Sequence, residues 1–230
     1  MVKKYFPACL SLFLLIWFGI MSNTVYADCY EKRSPGVDWS GCKKMRKMLD
    51  DEDFSGSNFN DANLSMSNLD NSNFTDASLV KSDFTRASFK RSNFTRADLT
   101  KSVGYRAFFN SAIFVKTRMS KSEFSRANFE GAEFSNIDWS RAELGRVNFL
   151  NARLTKVNFK FTNLSRARFS RASLTDVDFS GAYTFLTRFE DVDLSKTSQI
   201  SQAQLDMACG DDKTQLPQGL ERPASWPCEE

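Results

Sequence analysis

The 230-residue chain has no histidine. That removes an imidazole base, a histidine-based triad and a histidine metal site. Neither a phosphate-binding Walker motif nor a G-x-G-x-x-G fingerprint is present. Charge of one sign is lacking too: 31 Lys and Arg oppose 28 Asp and Glu. A dense negative stripe is excluded, and no strongly basic domain marks a nucleic-acid partner. Long apolar runs are absent after the first segment, and only five cysteines occur.

That first segment, Met1 to Ala27, reads as a secretory signal. Lys3 and Lys4 give a positive start, Ala8 to Ile20 an apolar run, and Val25-Tyr26-Ala27 a small-x-small cleavage site. An uncleaved inner-membrane anchor is the alternative, although the run is short for a span. Asp28 before Cys29 argues against a lipoprotein, because lipid attachment wants a small residue there. The expected location is the periplasm or the medium.

What is present is a repeat. From Phe54 to Leu194 a large apolar residue returns every five residues, 29 times in one register. Phe fills 16 of these centres and Leu nine; Gly104, Met119, Trp139 and Thr184 fill the rest. Two residues before each centre stands Ala, Ser, Thr or Val, except at Glu52 and Ile137. A helix repeats its apolar face at about 3.6 residues and a strand at about 2. A period of five fits neither and marks a solenoid, in which stacking buries what one unit cannot.

The unit, as in Ala127-Asn128-Phe129-Glu130-Gly131, resembles the pentapeptide-repeat family. The resemblance implies an all-β fold: a right-handed, four-sided β-helix with one pentapeptide per side and 20 residues per coil. The centre and the small residue two before it would point inward. Trp39 and Leu49 lie in register ahead of Phe54, while Lys44, Lys47 and Glu52 are poor inward residues, so the first coil is degenerate. Counting from Val37 to Lys196 predicts about eight coils. The expected organisation is a signal at 1–27, an N-terminal cap with the degenerate coil at 28–51, the solenoid at 52–196 and a C-terminal cap at 197–230. Ser201 and Gln204 read as a capping box opening a short helix to about Cys209, ended by Gly210.

Cys29, Cys42, Cys209 and Cys228 remain after the signal is removed. An even count in an exported chain suggests disulfides, and three pairings exist on paper. With a solenoid between the two pairs, Cys29–Cys42 and Cys209–Cys228 are the ones within easy reach. A metal site is the alternative, but thiols at distant ends cannot form one. Carboxylates along the repeats could mimic a glycosidase pair. They occupy the wet positions of a solenoid, however, and the constant five-residue unit leaves no loop to build a pocket. No enzyme activity and no cofactor are expected.

Two surface features stand out. Residues 20 apart should stack in columns, and Arg86, Arg106, Arg126, Arg146 and Arg166 form one. The adjoining face carries Lys81, Lys101, Lys121 and Arg141. These columns could hold an anionic polysaccharide or a lipid headgroup. Asp83, Glu123 and Glu143 stand three residues before members of the first column, Asp98 and Asp138 before members of the second, so local pairing is the expected state. The second feature is Val103, Tyr105, Phe108, Ile113 and Val115, apolar residues on outward positions around Gly104. They form either a partner-binding girdle or a distortion in which Phe108 or Tyr105 fills the space at Gly104. Tyr183, Phe185 and Leu186 make a smaller irregularity of the same kind.

The expected function is a non-enzymatic exported solenoid acting as a protein-interaction or structural module of the bacterial envelope, with an unidentified protein partner and a homodimer as an open form. Binding of an anionic envelope polymer is the alternative. Some members of the family mimic DNA and protect topoisomerases, and the resemblance keeps that role as the lesser alternative, although the repeats at 52–196 carry 21 basic against 17 acidic residues. No nucleic acid is expected.

Overall fold

The computed structural model describes residues 27–228. The reading of a signal at the N-terminus falls on residues outside them, apart from Ala27. Among the described residues no helix is long and apolar enough to cross a membrane.

The chain winds as a right-handed quadrilateral β-helix. Each side pairs in parallel with the side 20 residues later, from Asp38 with Asn58 to Asp178 with Ser198. We number the faces by their centres: face 1 holds Trp39, Phe59 and their successors, face 2 Leu64 and Phe84, face 3 Leu49 and Leu69, face 4 Phe54 and Phe74. The pentapeptide has one repeated conformation. Phe59 donates its N–H to Ser78 O at 2.7 Å, Asp61 to Val80 O at 2.9 Å and Asn58 back to Val37 O at 2.9 Å, so three amides per side bond to neighbouring coils. Ala62 closes the corner by donating to Phe59 O at 2.9 Å. The residue two after each centre up to Phe189 takes a left-handed φ, 57° at Asp61 and 58° at Lys81.

Inside, the centres stack in columns. Phe74, Phe94 and Phe114 lie parallel at 5.0 Å spacing. Phe109 and Phe129 do so at 4.8 Å. The small inward position is often Ser or Thr because a buried hydroxyl can satisfy a carbonyl of the preceding coil. Ser82 donates to Phe59 O at 2.7 Å and Thr162 to Trp139 O at 2.7 Å. On face 4 the pairing is extended enough to give named strands: β1 (Ile113–Val115), β2 (Glu133–Asp138), β3 (Arg153–Asn158) and β4 (Ser173–Thr175), all parallel. β2 and β3 run through the corner into face 1, where Ile137 pairs with Val157. That corner stacks Thr117, Ile137, Val157 and Val177, and its turn residues Asn136 and Lys156 keep the left-handed φ of the other corners, 57° and 55°.

Both ends are sealed. At the start, Lys44 occupies an inward register position without entering the core. Its ammonium lies 3.4 Å from the centre of the Trp39 ring and donates to Cys29 O at 2.7 Å. Burial holds its pKa below the usual lysine value. The Cys29–Cys42 disulfide fixes the segment it caps. At the far end α1 (Gln202–Asp206) carries the expected capping box on Ser201 and Gln204. Gln204 also donates to Phe179 O at 2.8 Å and Ala182 O at 2.9 Å, which satisfies carbonyls of the last full coil. The helix stops at Asp206, short of Cys209, and Gly210 has a different role: a Cβ there would lie 2.3 Å from the Trp226 ring. Trp226 packs on that glycine and donates its indole N–H to Ala208 O at 2.7 Å. Cys209–Cys228 ties the tail down, and pairing continues beyond the helix at Arg188–Cys209 and Asp193–Gln215.

Candidate functional site

Face 2 differs from the other three. Its centres are Leu64, Phe84, Gly104, Phe124, Leu144, Leu164 and Thr184. The corner leading into it stacks Lys81, Lys101, Lys121 and Arg141; the corner leaving it stacks Arg86, Arg106, Arg126, Arg146 and Arg166. The nine cations therefore bound one face, instead of lying on two adjoining faces as the column count suggested. The other two corners mix acids, bases and small residues.

Every one of the nine has a left-handed backbone, with φ between 57° and 61°. Gly, Asn and Asp adopt that conformation at least cost, and a long side chain gains nothing from it. Arg in five consecutive coils is therefore not explained by the turn. Nor is it explained by pairing. None of the seven ion pairs among the described residues uses any of the nine. The expected local pairs are not formed at the nine, although the same spacing and register do pair Asp193 with Lys196 at 3.2 Å near the C-terminal end. The acids turn elsewhere. Asp83 accepts from Thr85 N–H at 2.8 Å, Glu143 from the Asn163 amide at 2.8 Å, and Asp138 from Ser140 N–H at 3.0 Å. Asp98 takes Arg118 at 2.7 Å. Burial works against the Asp98 charge, yet hydrogen bonds from Arg118 and Thr100 hold its carboxyl below the usual range.

The five girdle residues divide among three faces. Val103 and Tyr105 flank Gly104 on face 2, Phe108 is on face 3, and Ile113 and Val115 are on face 4. Phe108 is 43% exposed and Ile113 39% exposed. Neither Phe108 nor Tyr105 fills the space at Gly104. Phe124 does: its ring carbons lie 2.3 Å from where a Gly104 Cβ would be, and it stacks on Phe84 across two coils at 6.5 Å. Lys90 sits over Phe108 and Arg106 over Tyr105, which covers part of both rings.

A groove of about 490 Å³ opens on the lower half of face 2, lined by Arg126, Arg146 and Arg166 on one side and floored by Ser125, Gly145 and Ser165. Tyr183 and Phe185 close its end, their rings nearly parallel at 13° with centres 6.2 Å apart. They are 50% and 41% exposed. Phe161, on the corner opposite the arginines, is 64% exposed. The sequence reading singled out Tyr183 and Phe185 but missed Phe161 and Gly145. Phe161 was visible as an apolar residue at a wet position. Gly145 carried no signal, because an outward glycine means nothing until its neighbours are placed.

Family models match much of the chain. "Pentapeptide repeats (8 copies)" matches residues 49–76, 67–103 and 82–120, and "Pentapeptide repeat region" matches 122–199. No curated protein matches. Among solved structures the chain is similar to HetL from Nostoc sp. strain PCC 7120, a protein involved in heterocyst differentiation regulation. That likeness has 20% identity and a TM-score of 0.41, over 81% of this chain and 88% of the other. It is similar to QnrB1, a plasmid-mediated fluoroquinolone resistance protein, at 18% identity and a TM-score of 0.49, over 84% and 89%. A pentapeptide repeat protein of the Arabidopsis thaliana thylakoid lumen is similar at 23% identity and a TM-score of 0.32, over 51% and 77%. With its five-residue period, 20-residue pairing and matched repeats, the chain belongs to the pentapeptide-repeat family.

Proposed function

We propose that this protein is a non-enzymatic exported scaffold whose working surface is face 2 and whose ligand is an anionic polymer of the cell envelope. One observation carries the reading: nine cations bound a single face, five of them consecutive arginines on left-handed corners, and none has an acidic partner among the described residues. Successive coils present these charges about 4.8 Å apart, close enough for an extended polyanion to meet several at once. Two disulfides support an oxidising compartment.

The test is retention on immobilised heparin against ionic strength, with Arg126, Arg146 and Arg166 all changed to Asn. Unpaired surface charges act through a field that salt screens within roughly 8 Å at physiological strength. The wild type should elute at clearly higher salt than the triple variant. Asn suits a left-handed corner, so melting should hold or rise. Equal elution of the two proteins would refute the reading.

A second reading keeps the protein partner. Exposed Phe108 and Ile113 favour it, and self-association that disappears when Tyr105, Phe108 and Ile113 become Ser would establish it. Because these residues wrap three faces, a flat partner reaches only part of the set.

A further inference from the structure

We propose that the groove around Gly145 is a seat for an acidic sugar chain. Its charged groups would meet Arg126, Arg146 and Arg166, and one ring would stack on the Tyr183–Phe185 shelf. The proposal rests on the reading of face 2 as the anion-binding surface and adds the ligand class and its place.

Four features of the groove point to this chemistry. The first is the floor. Gly145 has an unstrained backbone, and a Cβ there would meet nothing closer than the Ser165 hydroxyl at 3.4 Å. Neither packing nor conformation demands a glycine, so its effect is to leave the groove open between Ser125 and Ser165. The same column carries Tyr105 two coils earlier and Phe185 two coils later, so it accepts large rings elsewhere.

The second feature is the cationic rim of Arg126, Arg146 and Arg166. The third is the opposite rim, where Asn163 lines the groove and donates to Glu143 behind it at 2.8 Å. That pair suits hydroxyls and repels a second row of negative charge. The fourth is the shelf: two nearly parallel rings, half exposed, closing the end. Exposed rings in such an arrangement offer an apolar face that gains by being covered.

A ligand matching all four has charge along one edge, hydroxyls along the other and an apolar C–H face. A chain of uronic acids has that pattern. A DNA strand lacks the hydroxyl edge, and any nucleic-acid strand would turn phosphate toward Glu143. An acidic peptide has no flat apolar face for the shelf.

The experiment is calorimetric titration of the full chain with a galacturonic acid trimer. Its methyl ester has the same rings without charge, and a glutamate oligomer has the charge without rings; both are controls. The trimer should bind, and neither control should. Gly145→Tyr should fill the groove and lower affinity at least about tenfold while melting is unchanged, and Arg146→Asn should do the same. Absence of trimer binding, equal binding by the glutamate oligomer, or full binding by Gly145→Tyr would each overturn the proposal. If heparin retention survives those results, the groove assignment alone falls. If retention fails as well, the reading of face 2 falls with it.

Discussion

Gly104 and Phe124 form a complementary pair across two coils, and that arrangement can be measured. The Phe124 ring occupies the space a side chain at 104 would take, with carbons 2.3 Å from the absent Cβ. Gly104→Leu must push that ring aside, and overpacking of this kind costs about 1–3 kcal/mol. Gly104 has no positive φ, so backbone strain adds nothing. Phe124→Leu loses about one CH2 of buried surface, roughly 0.8 kcal/mol. It also leaves a void of roughly 25 Å³, which at about 24 cal/mol per Å³ adds about 0.6 kcal/mol. Gly104→Leu should thus cost about 2 kcal/mol and Phe124→Leu about 1.4 kcal/mol. The double variant places Leu over Leu, the arrangement already present at Leu144 and Leu164, and should lie within about 1 kcal/mol of the parent. The coupling energy is then about 2.4 kcal/mol, within the range for residues in contact. Urea midpoints read by circular dichroism, at constant slope, give all four corners of the cycle. Additive singles, or a Gly104→Leu variant as stable as the parent, would refute this account of the core.

The remaining expectations follow from the same geometry. Changing Tyr105, Phe108 and Ile113 to Ser should lower stability only by about 0.5 kcal/mol per site, as for surface positions; a loss of about 3 kcal/mol or more would mean that one of them is a core aromatic after all. Deleting Thr162 to Gly181, one coil of 20 residues, should leave a shorter folded rod with the Gly104–Phe124 pair intact. Deleting 18 residues from the same start should not fold, because every later centre leaves the core; equal behaviour of the two in thermal melts would contradict the register. Asp98 and Asp211 both titrate below the ordinary carboxyl value when folded: burial opposes their charge, but hydrogen bonds outweigh it, from Arg118 and Thr100 for the first and from Asp191, Thr214 and Lys213 for the second. As pH falls through about 3.9 the unfolded chain binds protons first, so their stabilisation is complete above that value and is lost below it. Asp98→Asn should flatten the acid limb of stability against pH, and an unchanged limb would count against the assignment.

The period of five was enough to place each side chain inside or outside, because the pentapeptide conformation is local and repeats. Phe89 is buried and Lys90 and Arg91 reach the surface for the same reason in every coil. The capping box on Ser201 was equally legible, since it needs only residues three apart. Decisions that depend on the next coil were not. Which ring fills the space at Gly104 depends on a residue 20 positions on; nearness along the chain offered Phe108 or Tyr105, whereas stacking selects Phe124. Lys44 looked like a misfit in the core, and the cap turns it outward toward Trp39 and Cys29 O. The acids before the arginines looked like partners, but Asp83 bonds the backbone amide two residues on and Glu143 the stacked neighbour. The groove at Gly145 exists only once Arg126, Arg146, Arg166, Tyr183 and Phe185 are brought to one face. One coil determines the direction of a side chain; its neighbours on adjacent coils determine what it touches.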